Sequence, residues 1–270
     1  MAEHGLQERC STWTWKKGLI MQLHRSAHDD LEPRLYNFYC AALRTLQQAQ
    51  VPFLVGGAYA LACHTGIVRH TKDLDIFVRP KDCERILQVL SAAGYRTEVT
   101  DPCWLAKAYS GEDFVDVIFS SGNAVAEVDD GWFDHAIEAK VFGLPVQLCP
   151  PEETIWSKAF VMERERYDGA DIAHLLRAYG GRLDWRRLLD RFGAHWRVLL
   201  SHLILFGFIY PFEPECIPSC VMDTLLDRLR HQVQPTRSTR QLCQGTLLSK
   251  TQYAIDIDRW GYEDARPCAD

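Results

Sequence analysis

The sequence predicts an α+β chain: strands and helices alternate through its first half, and the second half is helical. Three observations predict this. Short apolar runs at residues 52–55, 95–100, 104–109 and 114–119 are bounded by Gly, Pro, Asp or Ser, the mark of strands. Stretches at 30–50 and 80–94 carry apolar residues near helical spacing. From Leu183 onward apolar residues keep that spacing and strand signals stop. The boundaries that follow are an N-terminal extension at 1–29, a core at 30–150 and a helical domain with a docked tail at 151–270.

In chain order, Leu31, Leu35, Phe38, Tyr39, Ala42, Leu43 and Leu46 give the first helix its buried stripe. The run at 52–55 is a strand that meets Gly56-Gly57, and small and apolar residues then continue to Gly66 as a short helix. Glycine lets backbone N–H groups approach a phosphate closely, and the helix start adds a partly positive end. Alone, the pair also fits a ligand-free tight turn. After Arg69 and Thr71 an apolar segment carries Asp73 and Asp75. Residues two apart on a strand project from the same face, so these carboxylates point together. Such a pair suits two metal ions about 3.5–4 Å apart, and magnesium, a hard ion that takes oxygen ligands, is the natural guest.

The stretch GGAYALACHTGIVRHTKDLDIFV (residues 56–78) resembles the signature of the DNA polymerase beta-like nucleotidyltransferase superfamily. The form Arg69-x-Thr71-x-Asp73-x-Asp75 most resembles the small bacterial members related to AbiEii abortive-infection toxins. The resemblance covers about residues 50–175. It implies a nucleotidyltransferase core, a mixed sheet with flanking helices, and a third carboxylate on a neighbouring strand.

Pro80 and Asp82 open the next helix and Gly94 closes it. Two strands then flank the turn Ser110-Gly111-Glu112-Asp113, and the second, FVDVIF, carries Asp116 among apolar neighbours. A carboxylate there is costly to bury unless a cation or hydrogen bonds compensate, so Asp116 is the third acid the resemblance asks for; an edge-strand Asp facing water is the plainer reading. Asp113, in the turn, is a weaker candidate. Residues 120–138 read as an acidic loop with a short helix, and 140–149 as a hairpin around Gly143. Pro150-Pro151-Glu152-Glu153 starts a helix that is expected to run through ETIWSKAFVMERER.

Lys158 on that helix is either a solvated lysine or, by the resemblance, a phosphate-binding one that opens a lysine, arginine, aspartate order continued by Arg164 or Arg166, Asp168 and Asp171. Asp168 and Asp171 are also explained by a helix restart, with Asp168 as its N-cap. Arg69 grips either a phosphate or a nearby acid. Residues 183–210 should form a buried helix pair, 221–233 one more amphipathic helix, and 234–239 a polar linker. The arginines between Arg164 and Arg197 fit a solvated helix face better than a nucleic-acid surface, because acids intersperse them. The tail mixes Tyr253, Trp260 and Tyr262 with acids, which suggests ordered docking.

Composition narrows the class. With 270 residues, 47% hydrophobic and a formal charge of −6, this is an ordinary globular chain without a basic coat. Ten scattered cysteines without Cys-x-x-Cys suggest reduced thiols, and Cys216, Cys220, His231 and Cys243 match no familiar zinc spacing. The first 30 residues do not read as a signal peptide, and the apolar run at 198–210 is too short to span a bilayer, so a cytoplasmic location is expected and no membrane partner.

The expected reaction is transfer of an NMP from an NTP to an acceptor hydroxyl or phosphate, on RNA such as tRNA or on protein, with release of pyrophosphate. Asp73 and Asp75 would hold two Mg2+ (or Mn2+) ions, Asp116 would join them and activate the acceptor, and Gly56, Gly57, Arg69, Thr71 and Lys158 would bind the nucleotide. The resemblance also implies a toxin-like role with an antitoxin-like partner. A small-molecule acceptor such as an antibiotic, or a non-catalytic binding protein on the same fold, are the alternatives.

Overall fold

The structure, a computed structural model, describes residues 31–121, 124–231 and 241–266. The N-terminal extension at 1–29 and the linker at 234–239 lie outside the described residues. The described residues divide into two compact units, 31–157 and 158–265.

The first unit opens with α1 (Pro33–Gln48), which has proline in its first turn, where a missing N–H costs nothing. Strand β1 (Leu54–Val55) leads into α2 (Gly57–Thr65), which Gly66 ends in the left-handed conformation at φ 74°. Strand β2 (Leu74–Phe77), α3 (Pro80–Ala92) and strands β3 (Arg96–Asp101), β4 (Leu105–Ser110) and β5 (Asp113–Ile118) follow. After the short α4 (Asp130–Asp134) come β6 (Ile137–Val141) and β7 (Leu144–Leu148).

The seven strands form one sheet in the order β3-β4-β5-β2-β1-β7-β6. It is mixed: β2 runs parallel to β5 and β1 to β7, while the other pairs are antiparallel. One face is apolar. Leu74, Ile76, Ala106, Ala108, Val115 and Val117 are buried there in a core shared with Phe38 and Leu43 of α1, Tyr59 and Cys63 of α2 and Ile86 and Leu90 of α3. Each large aliphatic side chain buried this way stabilises by roughly 1.5–3 kcal/mol. Strand side chains alternate, so the residues between these, Asp75, Lys107 and Asp116, emerge on the opposite face.

Helix α5 (Pro151–Lys158) leads out of the first unit. It was expected to continue through Arg166 but ends at Lys158. Met162 and Tyr167 instead form an antiparallel bridge, and Arg166 and Lys158 both bond the carboxylate of Asp168. The intervening Glu163, Arg164 and Glu165 are exposed and offer no apolar stripe to hold a helix.

The second unit contains α6 (Gly169–Tyr179), α7 (Trp185–Phe192), α8 (Trp196–Ile209) and α9 (Ser219–His231). Asp184 caps α7 by accepting from Arg187 N–H at 3.0 Å. The helix pair at 183–210 is only partly buried: α8 buries Leu199, Leu203 and Phe206 but exposes Ile204, Phe208 and Ile209, with Phe212 exposed beyond it. The apolar stretch is also longer than expected. Trp185–Ile209 is long and apolar enough by length and composition to cross a membrane, although a 3-10 turn at Gly193–His195 divides it. The tail forms regular structure within residues 241–266. There β8 (Leu242–Cys243) pairs in parallel with β9 (Glu263–Asp264), and Tyr253 of α10 (Lys250–Asp258) is buried with its hydroxyl 2.6 Å from Asp264.

Candidate active site

Sheet register assembles the polar face. In the β2/β5 pair Asp75 lies opposite Asp116, in β5/β4 Asp116 lies opposite Lys107, and in β4/β3 Lys107 lies opposite Glu98. Directly paired residues share a face, so the four side chains form one row across four strands. Asp73 was expected on the strand but sits one residue before β2 begins. It is fixed there by Thr71, whose hydroxyl donates to its carboxylate. One oxygen from each of Asp73, Asp75 and Asp116 lies within 4.8 Å of the others, and among the described residues this is the group of three or more potential ligands that converges. Cys216, Cys220, His231 and Cys243 form no such group among the described residues.

The glycine turn is shaped by the same acids. Gly56 N–H donates to the Asp75 carbonyl at 3.0 Å, and Gly57 adopts φ +54°, a conformation that disfavours side chains. A Cβ on Gly57 would lie 1.6 Å from Asp75 Oδ2. The first need for glycine at 57 is therefore admission of the Asp75 carboxylate. That carboxylate lies against the first residue of α2, where the helix dipole favours negative charge.

Electrostatics follow from burial and neighbours. Burial pushes the Asp116 carboxyl above the usual range, Asp73 adds to the rise, and the Lys107 ammonium 2.6 Å away opposes it without winning. Behind the acids, burial raises the phenols of Tyr39 and Tyr59, and the charges of Asp73 and Asp75 raise them further. Tyr39 donates to the Lys72 carbonyl at 3.0 Å, tying α1 to the residue before Asp73.

The other sequence candidates stand elsewhere. Arg69 is exposed in the segment before β2. Asp113 pairs with Arg34 at 2.9 Å. Lys158, Asp168 and Asp171 form a group within the helical unit, with Lys158 Nζ 2.9 Å from both carboxylates and Arg166 bonding Asp168 at 2.9 and 3.0 Å. Asp168 does occupy the N-cap position of α6, but its side chain makes no capping bond because the two cations take it. Its pKa is lowered: burial pushes it up, and the Arg166 and Lys158 contacts together outweigh that.

Lys107 was missed in the sequence. The signal was present: the two-residue turn at Gly111-Glu112 pairs Ser110 with Asp113, and that register brings Lys107 opposite Asp116.

The model of a family described as "Uncharacterised nucleotidyltransferase" matches residues 36–203. The chain belongs to that family. This nucleotidyltransferase is also similar to several solved structures. The antibiotic-resistance factor ANT(2'')-Ia is 16% identical, with 74% of this chain and 99% of that one covered and a TM-score of 0.42. The lincosamide antibiotic adenylyltransferase LnuA is 17% identical over 54% and 96%, at 0.38. An antigenic nucleotidyltransferase-like protein from Paracoccidioides brasiliensis is 13% identical over 63% and 91%, at 0.37. No curated protein matches the sequence.

Proposed function

We propose that the chain transfers a nucleoside monophosphate from an NTP to an acceptor hydroxyl or phosphate, releasing pyrophosphate, with its catalytic core in residues 30–150 and the helical domain in 151–270. The observation that carries this reading is the convergence of the Asp73, Asp75 and Asp116 carboxylates in a member of a nucleotidyltransferase family. Three hard oxygen donors at this spacing fit a divalent cation of the magnesium type, with Mn2+ as a substitute. When bound, such ions supply positive charge to the phosphates and acidify the acceptor.

The chain's own residues do the rest. Asp73, oriented by Thr71, and Asp75, seated against the start of α2, hold the ions. Asp116, whose proton affinity burial has raised, joins them from β5 and takes the acceptor's proton. The Gly56-Gly57 turn lets the nucleotide phosphates approach the backbone closely, and the helix N-terminus there adds partial positive charge, while Gly56 N–H itself stays on the Asp75 carbonyl. Arg69, exposed before β2, and Thr71, on Asp73, are further candidates for contacts with the nucleotide. Lys158 is the remaining candidate for a phosphate contact, with Asp168 and Asp171 as the partners it bonds in the structure.

The Arg69-x-Thr71-x-Asp73-x-Asp75 form supports the finer kinship with AbiEii-like bacterial proteins, and with it a cytoplasmic, toxin-like enzyme kept in check by an antitoxin-like partner. The test is release of pyrophosphate from each of the four NTPs with magnesium, over a panel of RNA, protein and small-molecule acceptors. Wild type should turn over one NTP and Asp73→Asn/Asp75→Asn none; undiminished turnover in the double variant would sink the assignment.

A further inference from the structure

The polar face of the sheet continues past the acids, on the side away from the glycine turn. Strands β4 and β3 carry Lys107, Tyr109, Arg96 and Glu98 there, and β5 adds Phe114. Tyr109 lies opposite Phe114 with ring centroids 6.0 Å apart, and Arg96 lies opposite Tyr109. Each ring carries a cation: the Arg96 guanidinium carbon is 3.8 Å from the Tyr109 centroid, and Lys107 Nζ is 3.7 Å from that of Phe114. Glu98 takes one edge of the guanidinium at 2.8 Å, which holds it across the ring, and the Arg96 side chain is still 63% exposed. Lys107 joins this ledge to the acids through its bond to Asp116.

We infer that this ledge is the acceptor subsite and that it takes a nucleotide unit, an inference that rests on the proposed transfer reaction. The geometry favours it in two ways. An acceptor must reach Asp116, and its neighbour on the side away from Asp75 and the glycine turn is Lys107. The groups presented there suit the two halves of a nucleotide. A guanidinium laid on a tyrosine offers its outer plane to a base, as arginine and aromatic planes do in recognition of unstacked nucleotides, while an ammonium meets the phosphate as a point charge. A polycationic small molecule would meet two cations on the ledge. Lys107 thus has two partners in sequence: Asp116 at rest, and the acceptor phosphate once Asp116 turns to the acceptor oxygen.

The ledge is tested by fluorescence anisotropy of a labelled single-stranded RNA oligonucleotide in magnesium buffer without any NTP. Wild type should bind, Arg96→Gln/Lys107→Gln should bind at least about tenfold more weakly, given what stacking and phosphate contacts are worth, and Lys140→Gln on β6 should bind like wild type. Tyr109→Leu, which keeps an apolar side chain on the strand but removes the platform, should weaken binding in the same direction. Competition with AMP distinguishes the sources. Displacement at similar concentration supports a free nucleotide as the occupant, and displacement only by a longer strand supports a strand end. Equal binding by wild type and the double variant, or no binding of either probe to wild type, would overturn the inference. Magnesium-dependent binding of a non-hydrolysable NTP is measured in parallel. Its absence with the ledge intact would count against the transfer reaction, and its presence without oligonucleotide binding would count against the ledge alone.

Discussion

Both units of the chain gather carboxylates beside a lysine, and they do so with opposite results. In the helical unit the lysine is central: Lys158 Nζ is 2.9 Å from both Asp168 and Asp171, and Arg166 adds a second cation to Asp168. On the sheet the carboxylates of Asp73, Asp75 and Asp116 converge on one another, and Lys107 touches Asp116 from the flank. Asp168 and Asp116 are buried to a similar degree, yet the pKa of the first is lowered and that of the second raised. Burial opposes the charge in both. Two cations overcome it at Asp168, while one lysine fails at Asp116, where Asp73 adds repulsion. The lesson is that an ammonium at the centre of an acid cluster compensates its charge within the fold, whereas carboxylates that converge with a lysine only at their flank leave charge for the proposed divalent cation to offset.

The largest effect expected from breaking this contrast is on chemistry. Asp116→Asn removes the proposed base, so turnover should fall by about 10²–10⁴-fold while the thermal midpoint stays within a few degrees of wild type; a calorimetric scan beside the pyrophosphate assay checks both.

Next comes Lys158→Met, which strips the cation from two buried carboxylates. Breaking such a group costs about 3–5 kcal/mol, and urea unfolding should show a loss of that order, far larger than any change caused by Asp73→Asn.

The pH dependence of folding is a third probe. Burial lowers the His64 pKa to about 4 against the Nε2 bond to the Cys149 carbonyl, and burial also lowers that of His202. Between about pH 6.5 and 4 the unfolded chain binds protons that the folded His64 refuses, so stability is full above this window and declines as pH falls through it. The decline from His64 alone should approach about 3 kcal/mol, and urea midpoints of wild type and His64→Gln should converge at the acid end.

Smallest is Gly57→Ala. Its Cβ would strike Asp75 in a backbone conformation that favours glycine, so a destabilisation of roughly 1–3 kcal/mol should accompany weaker magnesium binding; unchanged magnesium affinity would separate the turn from the acids.

Much of this was readable in the sequence, for local reasons. Gly66, Gly94, Gly111 and Gly143 marked ends and turns that the structure realises with positive φ, because turn chemistry depends on a few adjacent residues. The two-residue spacing of Asp73 and Asp75 gave their shared face even though Asp73 precedes the strand. What the sequence hid depends on non-local pairing. Lys107 gains its meaning only from register with Asp116, and Asp168 sits at an N-cap without capping because Lys158 and Arg166 claim it. The exposed face of α8 was read as buried because apolarity does not say which side of a helix finds a neighbour.

The most direct test of the account is thermal unfolding of wild type and of Asp73→Asn/Asp75→Asn, each with chelator and with excess magnesium. Wild type should gain stability with magnesium, by about 2.7 kcal/mol at a hundredfold excess over the dissociation constant. The double variant should start at least as stable, because like charges have been removed, and should not respond. A wild-type midpoint indifferent to magnesium, or a double variant that responds equally, would contradict the proposal that the converging carboxylates of Asp73, Asp75 and Asp116 take a divalent cation.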